Sequence, residues 1–113
     1  MALYASAIRV GFEELRSLAF GAISGVYAGI GTAFSHPIRI LKVTNTTDAD
    51  ITLSDDGITD KDIVPASSFV LYDFTSNNAN ASGFYFAEGD RIYAKGAPGS
   101  GSVYVTTIYA RNF

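Results

Sequence analysis

Pro37-Ile38-Arg39-Ile40-Leu41-Lys42-Val43-Thr44 is the stretch on which the fold turns. Ile, Leu and Val crowd it, a proline opens it, and the turn-rich run Asn45-Thr46-Thr47-Asp48-Ala49-Asp50 closes it. β-branched residues bounded by proline and turn formers read as a strand. The pattern then repeats down the chain. Ile51-Thr52-Leu53-Ser54 alternates, with Ile51 and Leu53 on one face. Asp55-Asp56-Gly57 supplies the positive-φ position of a tight hairpin turn, and residues 60–64 form the return strand, closed by Pro65.

Further on, Ser68-Phe69-Val70-Leu71-Tyr72-Asp73-Phe74 is apolar on both faces, as in a central strand or one covered by a neighbour. Residues 77–83 read as a polar loop, and Phe84-Tyr85-Phe86 and residues 91–95 as two short strands about the turn Glu88-Gly89-Asp90. A last strand covers residues 102–109. Seven to nine short strands with turns every 8–12 residues predict an all-β domain, a single β-sandwich of jelly-roll-like form.

Upstream of Pro37 the pattern is less plain. Residues 17–36 carry no Asp, Glu, Lys or Arg, and Gly21, Gly25 and Gly29 repeat at the spacing of a membrane helix interface. A transmembrane span over 17–36 is therefore one reading, with the chain a membrane-anchored β domain. Its apolar residues are few, however, and must offset Gly, Ser, Thr and Tyr, so insertion is marginal. Two Gly-rich β segments joined near Ser24-Gly25 account for the same residues, and this is the reading adopted. Residues 1–14 fit helical and strand spacing equally, with Phe12 on the apolar face. We expect them to form an arm, extended or partly helical, that reaches outside a sandwich domain of residues 15–113 and orders on a partner. The N-terminus shows no secretory signal pattern, since Glu13 and Glu14 precede the apolar stretch.

Composition narrows the function. The 113 residues are 48% hydrophobic but only 17% charged, and include seven Tyr and eight Phe. Soluble domains average roughly 25% charged residues, so a small domain this poor in charge exposes apolar surface unless a partner covers it. Fifteen aromatics would fill a core of this size with some left over for interfaces. There is no cysteine and one histidine, His36, which removes thiol chemistry, His-paired triads and multi-His zinc sites. The net charge of −3 argues against a general nucleic-acid binder.

The charge is uneven. Residues 48–62 hold six Asp against Lys61, a local net of −5 in a chain otherwise at +2. Such a loop can pair head-to-tail with basic surfaces on neighbouring copies. The candidate assembly contacts are Asp55, Asp56, Asp60 and Asp62 on the acidic side. Arg9, Arg16, Arg39 and Lys42 are the candidates on the basic side, and Phe12 is a further candidate contact.

No chemical motif survives inspection. The acidic loop lacks EF-hand spacing and includes Lys61 among its carboxylates, so a hairpin tip outweighs a calcium site. In Lys95-Gly96-Ala97-Pro98-Gly99-Ser100-Gly101 the lysine precedes the glycines and no helix follows, unlike a P-loop. Asn45-Thr46-Thr47 and Asn80-Ala81-Ser82 match the glycosylation pattern but read as polar turns, and the acids do not form a glycosidase pair. The expectation is a non-enzymatic chain with no cofactor and no metal.

Several stretches in order resemble small virion structural proteins of tailed bacteriophages. They are Leu15-Arg16-Ser17-Leu18-Ala19-Phe20-Gly21, Ser24-Gly25 with Tyr27-Ala28, Pro37 to Val43, and Asn45 to Asp50. After these come Ser54 to Asp60, Val64-Pro65-Ala66, Gly101 to Val105, and Ile108-Tyr109. The resemblance implies a particle component located in the virion, either capsid cement (decoration) or a head–tail connector, as a homo-oligomer. Its partners would be copies of itself and a major capsid, portal or tail protein. It implies no small-molecule substrate, specific nucleic acid or membrane. A tail-associated binding module is the alternative within the same setting.

Overall fold

The structure is a computed structural model that describes residues 8–74 and 86–112, with the side chains of 8, 9, 111 and 112 also outside the description. Among the described residues there are nine strands: β1 (Ile8–Phe12), β2 (Arg16–Ala19), β3 (Ala28–Gly29), β4 (Ile38–Asn45), β5 (Ile51–Ser54), β6 (Asp62–Val64), β7 (Ser68–Asp73), β8 (Tyr93–Lys95) and β9 (Ser102–Asn112). All the pairings are antiparallel. One sheet runs β1-β9-β4-β7 with β2 also on β9, and the other runs β3-β8-β5-β6.

β1 and β2 lie end to end along the same edge of β9, so they are one strand interrupted at residues 13–15. Taking them together gives eight strands, with the first beside the last in one sheet and the second beside the seventh in the other. This is the jelly-roll order, and the expected β-sandwich is the observed architecture.

The sheets meet over branched aliphatic residues. Ile38, Leu41 and Val43 of β4, Ile51 of β5, and Val103 and Val105 of β9 are fully buried, as is Val64 of β6. Of the aromatics, Phe34 joins the buried core, while Phe74 and Phe86 pack at its margin in an edge-to-face pair 5.2 Å apart. An aromatic core was expected; the roughly 10 Å gap between packed sheets is filled instead by Ile, Val and Leu. The rings are left to wedge the open side and to cover the exterior.

A buried polar knot ties the two sheets at one corner. Asn45, at the end of β4, donates from Nδ2 to the carbonyls of Ala49 (2.9 Å), Val64 (3.0 Å) and Pro65 (3.1 Å). Its Oδ1 accepts from the backbone N–H and the hydroxyl of Thr47, at 2.9 and 2.5 Å. Asn45-Thr46-Thr47 is thus a turn, as expected, but its asparagine is 1% exposed and structural.

The structure changes three expectations. Residues 8–12 belong to the sheet rather than to a separate arm. They pair with β9 from Ile8↔Asn112 to Phe12↔Ile108, and Val10↔Ala110 to Ile8↔Asn112 lie beyond the last β4 pair, Ile38↔Tyr109. The extension is therefore a two-stranded ribbon, because a lone strand leaves its backbone groups unpaired. The 55–57 turn is wider than a tight hairpin: Gly57 has φ +75, but the strands pair only from Leu53↔Asp62. β7 is an edge strand, not a central one. Phe84 and Tyr85 lie outside the described residues, as do the 77–83 loop, Asn80-Ala81-Ser82 and residues 1–7. Phe86 makes an isolated bridge to Ile38.

Residues 17–36 resolve into strands and turns. β2 is followed by a short 3-10 helix (Phe20–Ala22) and then β3. Among the described residues no helix is long and apolar enough to cross a membrane.

Truncating Asn45 takes a donor from three carbonyls at once, although Ala49 O keeps the Thr47 hydroxyl and Pro65 O the Ser68 hydroxyl. It also leaves Thr47 without its Oδ1 acceptor. Asn45→Ala is expected to cost about 2–3 kcal/mol in urea denaturation, whereas Thr46→Ala at the neighbouring exposed position costs less than half of that.

Candidate assembly surface

Strand alternation sends one set of side chains of the β1-β9-β4-β7 sheet into the core and the other outward. Outward lie Val10 and Phe12 on β1, Ile40, Lys42 and Thr44 on β4, and Phe69, Leu71 and Asp73 on β7. β9 adds Tyr104, Thr106, Ile108 and Ala110. Cross-strand registers align them into rows: Phe69 beside Thr44 and Tyr104, Leu71 beside Lys42 and Thr106, and Ile40 beside Ile108 and Phe12. Val10 (68% exposed), Phe12 (65%), Phe69 (62%) and Leu71 (55%) are large apolar groups facing solvent. Lys42 and Asp73 are the formal charges on these outward strand positions, and the Lys42 ammonium lies 5.9 Å from the Phe69 ring.

The interruption at residues 13–15 shapes this face. Three residues stand between Phe12↔Ile108 and Arg16↔Val105, opposite only Thr106 and Thr107. That is a β-bulge. In a regular strand Glu13 and Arg16, three residues apart, would point to opposite sides. With the bulge, both turn inward, and the exposed Leu15 turns out.

Arg16 is 7% exposed and spends its donors inside the chain. Nε donates to the carbonyl of Thr32 at 2.7 Å, and NH2 to Ala33 O at 3.0 Å and Glu13 Oε1 at 2.7 Å. Its guanidinium sits 5.0 Å from the centre of the Phe34 ring, and NH1 reaches Thr107 Oγ1 at 3.3 Å. Glu13 Oε2 accepts from the Ser35 amide at 3.1 Å and meets His36 Nδ1 at 2.5 Å. His36 stacks on Tyr109 with ring centres 3.7 Å apart. Gly31 makes room for the arginine stem: its φ is +67, and a Cβ there would lie 2.7 Å from Arg16 Cβ. Burial raises the Glu13 pKa, but the His36 and Arg16 hydrogen bonds and charges outweigh it and hold the carboxyl below its ordinary range.

The acidic loop is largely self-satisfied. Asp56 Oδ1 accepts from the Ser54 hydroxyl (2.6 Å) and from the amides of Ile58 and Thr59 (2.8 Å each), which holds its carboxyl far below the usual range. Asp60 bonds Lys95 Nζ at 2.8 Å and the Tyr27 hydroxyl at 2.6 Å, and both lower its pKa. Burial and that carboxylate push the Tyr27 phenol up to about 12. Asp55 pairs with Lys61 at 3.1 Å, and Asp62 accepts from the Tyr72 hydroxyl.

The residues singled out in the sequence therefore fall into three groups. Phe12 and Lys42 stand on the outer face of the β1-β9-β4-β7 sheet. Asp55, Asp56, Asp60 and Asp62 line a loop of the other sheet, each with a partner in its own chain. Arg16 is interior, and Arg39 sits half-buried at a register shift between Ile38 and Ile40. Arg9 pairs by backbone with Arg111, its side chain lying outside the description. Sequence reading missed Phe69 and Leu71, whose exposure depends on β7 being an edge. It also missed the Glu13–Arg16–His36 cluster, signalled only by charges beside an otherwise uncharged stretch.

Among the described residues no group of three or more His, Cys, Asp or Glu is placed to hold a metal. A cleft of about 380 Å³ opens beside Glu13, Arg16 and His36, but their polar atoms are engaged with one another and with the 31–36 loop. No family model matches the chain, and no curated protein or solved structure matches it.

The cluster has an acid signature. A carboxyl held below its unfolded value of about 4.5 adds stability above that pH and loses it as pH falls through the folded pKa. Asp56 and Asp60 add to the same limb. Glu13→Gln is thus expected to make the pH 5-to-3 fall in urea midpoint shallower than in wild type. Arg16→Met, which strands the buried carboxylate, should cost about 3–5 kcal/mol at pH 7.

Proposed function

We propose that this chain is a non-enzymatic structural component of a tailed-phage virion. It docks on another particle protein through the outer face of the β1-β9-β4-β7 sheet. The observation that carries the reading is that face: Val10, Phe12, Phe69 and Leu71 are exposed on it, and Lys42 and Asp73 are the charged residues among its named outward positions. A soluble monomer rarely leaves such a patch open, and partner burial is its usual purpose. The jelly-roll order is one that viral capsid domains use, though lectins and cupins share it, so fold alone assigns no role. The ordered resemblance to small phage virion proteins supplies the setting.

Two positions in the particle suit this surface. As capsid cement, the apolar face would lie on neighbouring capsid subunits, with the acidic loop of the opposite sheet turned away. As a ring at the head–tail junction, copies would sit side by side around the portal or tail. The internal pairing of Asp55 with Lys61 and of Asp60 with Lys95 leaves the acidic loop less available for basic neighbours than its composition implies. The outer face is accordingly the principal contact.

Copy number in purified particles tests the setting and separates the positions. Hundreds of copies indicate cement, roughly 6 or 12 indicate a ring, and absence from particles overturns the reading. The double variant Phe12→Ser/Phe69→Ser removes two exposed rings. It is expected to melt within a few degrees of wild type while its incorporation drops several-fold; unchanged incorporation would rule out this face as the docking surface.

A further inference from the structure

The outer side of the β3-β8-β5-β6 sheet carries a charge that its own chain leaves unanswered. Ile92 and Ala94 are buried in the core, so alternation sends Arg91, Tyr93 and Lys95 outward along β8 and the residues leading into it. Gly29 pairs with Tyr93 and Ala28 with Ala94, which puts Tyr27 beside Lys95 on the same side. The Lys95 ammonium lies 4.8 Å from the centre of the Tyr27 ring and meets Asp60 at 2.8 Å. Tyr93 lies under the turn of the acidic loop, where a Cβ at Gly57 would stand 3.5 Å from its ring.

Arg91, which is half-buried, has no such carboxylate. Its guanidinium fills the space that a side chain at Gly29 would take: a Cβ there would lie 2.2 Å from Cζ and 2.3 Å from Nε. The centre of the Tyr93 ring is 5.8 Å from Cζ. Among the described residues, Nε is the buried side-chain polar atom without a hydrogen-bond partner. The two Nη groups are not buried, and no acceptor among the described residues meets them. Arg16, Lys61 and Lys95, by contrast, each hold a carboxylate at 3.1 Å or less. Arg91 is thus a cation held in place and left unpaired.

We propose that Arg91 receives one carboxylate from outside the chain, end-on across its two Nη groups. The site goes beyond the assembly reading, which concerns the outer face of the other sheet, and does not depend on it. An Asp or Glu of a neighbouring subunit and a free small carboxylate would present the same chemistry here.

A guanidinium is a planar fork that matches a carboxylate through two parallel hydrogen bonds. Here the fork is in place before the ligand arrives, with Gly29 beneath it and Tyr93 beside it, so little rotamer freedom is lost on binding. The surroundings select the charge of the ligand. Asp56 and Asp60 belong to the loop that covers Tyr93 and reaches Lys95, and Asp90 precedes Arg91 in the chain. Their field opposes a dianionic phosphate or a nucleic-acid strand more than a singly charged carboxylate.

Acetate is the probe, and the readout is the NMR shift of the Gly29 and Tyr93 backbone amides in the purified chain. Titrated against sodium chloride at equal ionic strength, sodium acetate should shift them saturably, with a Kd on the order of 10 mM. Phosphate should bind more weakly. Arg91→Lys keeps the charge but loses the fork, and should weaken acetate binding at least about fivefold. Gly29→Ala keeps the arginine, and φ at Gly29 lies outside the left-handed region, so the strand accepts alanine. The added Cβ displaces the guanidinium, and binding should weaken at least about threefold. Should that variant misfold, Arg91→Lys carries the same readout. Absence of a saturable shift overturns the site, as does phosphate binding tighter than acetate or undiminished acetate binding by either variant. Incorporation of Arg91→Gln into particles then separates the sources. A several-fold drop assigns the carboxylate to a neighbouring subunit, and unchanged incorporation assigns it to a free small carboxylate. Phe12 and Phe69 stand on the other sheet, so docking through that face stands or falls separately.

Discussion

One inserted residue at the edge of β9 organises this protein. The bulge at residues 13–15 turns Glu13 and Arg16 to the same side of the sheet, where they form a buried ion pair at 2.7 Å. An interior charge is costly unless its partners are complete. Here Arg16 is bonded to two loop carbonyls as well as to Glu13, and Glu13 to a loop amide and His36. The pair thereby fastens the 31–36 loop to the sheet, and it seats Phe34 under the guanidinium and His36 on Tyr109. Satisfying the charges and placing the loop are the same event.

The chemistry of the two sheets' outer sides diverges from this point. Polar and ionic groups are drawn into closed local networks: the bulge cluster, the Asn45 knot, and the Asp56 and Asp60 sites. The outer face of the β1-β9-β4-β7 sheet is left with aliphatic and aromatic residues and little charge. A chain with only 17% charged residues that also pairs most of its acids internally has few free charges left to solubilise this surface. The apolar face is thus a consequence of how charge is allocated as well as of composition.

Strands with clean boundaries were legible in the sequence: β4 from Pro37 to its turn, β5 from the alternation of Ile51 and Leu53, and β9 from residue 102 onward. The Gly-rich region was legible only in part: β2 and the two-residue β3 are its strands, and a short 3-10 helix and turns make up the rest. Features that depend on pairing were not. Nothing local in Ser68-Phe69-Val70-Leu71-Tyr72-Asp73 distinguishes a central strand from an edge, since its neighbours are decided by the path of the whole chain. The bulge was equally hidden, because an extra residue shows only against the partner strand. Arg16 looked like a surface cation for the same reason. At the acidic loop, composition showed the charges, but not that Ser54, Lys61, Tyr27, Tyr72 and Lys95 would each engage one.

The place of β9 has a bearing on how the molecule is made. This strand pairs with β1, β2 and β4, so the first segments of the sheet have no template until the last one has been synthesised. On a ribosome, β1 and β2 must wait, unpaired, while some ninety residues follow them. Closing this sheet is therefore of high contact order, which slows it and leaves strand edges unsatisfied in the interval. The β4–β7 pair can form before β9 exists, but β1 and β2 cannot join the sheet without it, so a break anywhere before β9 leaves them unpaired.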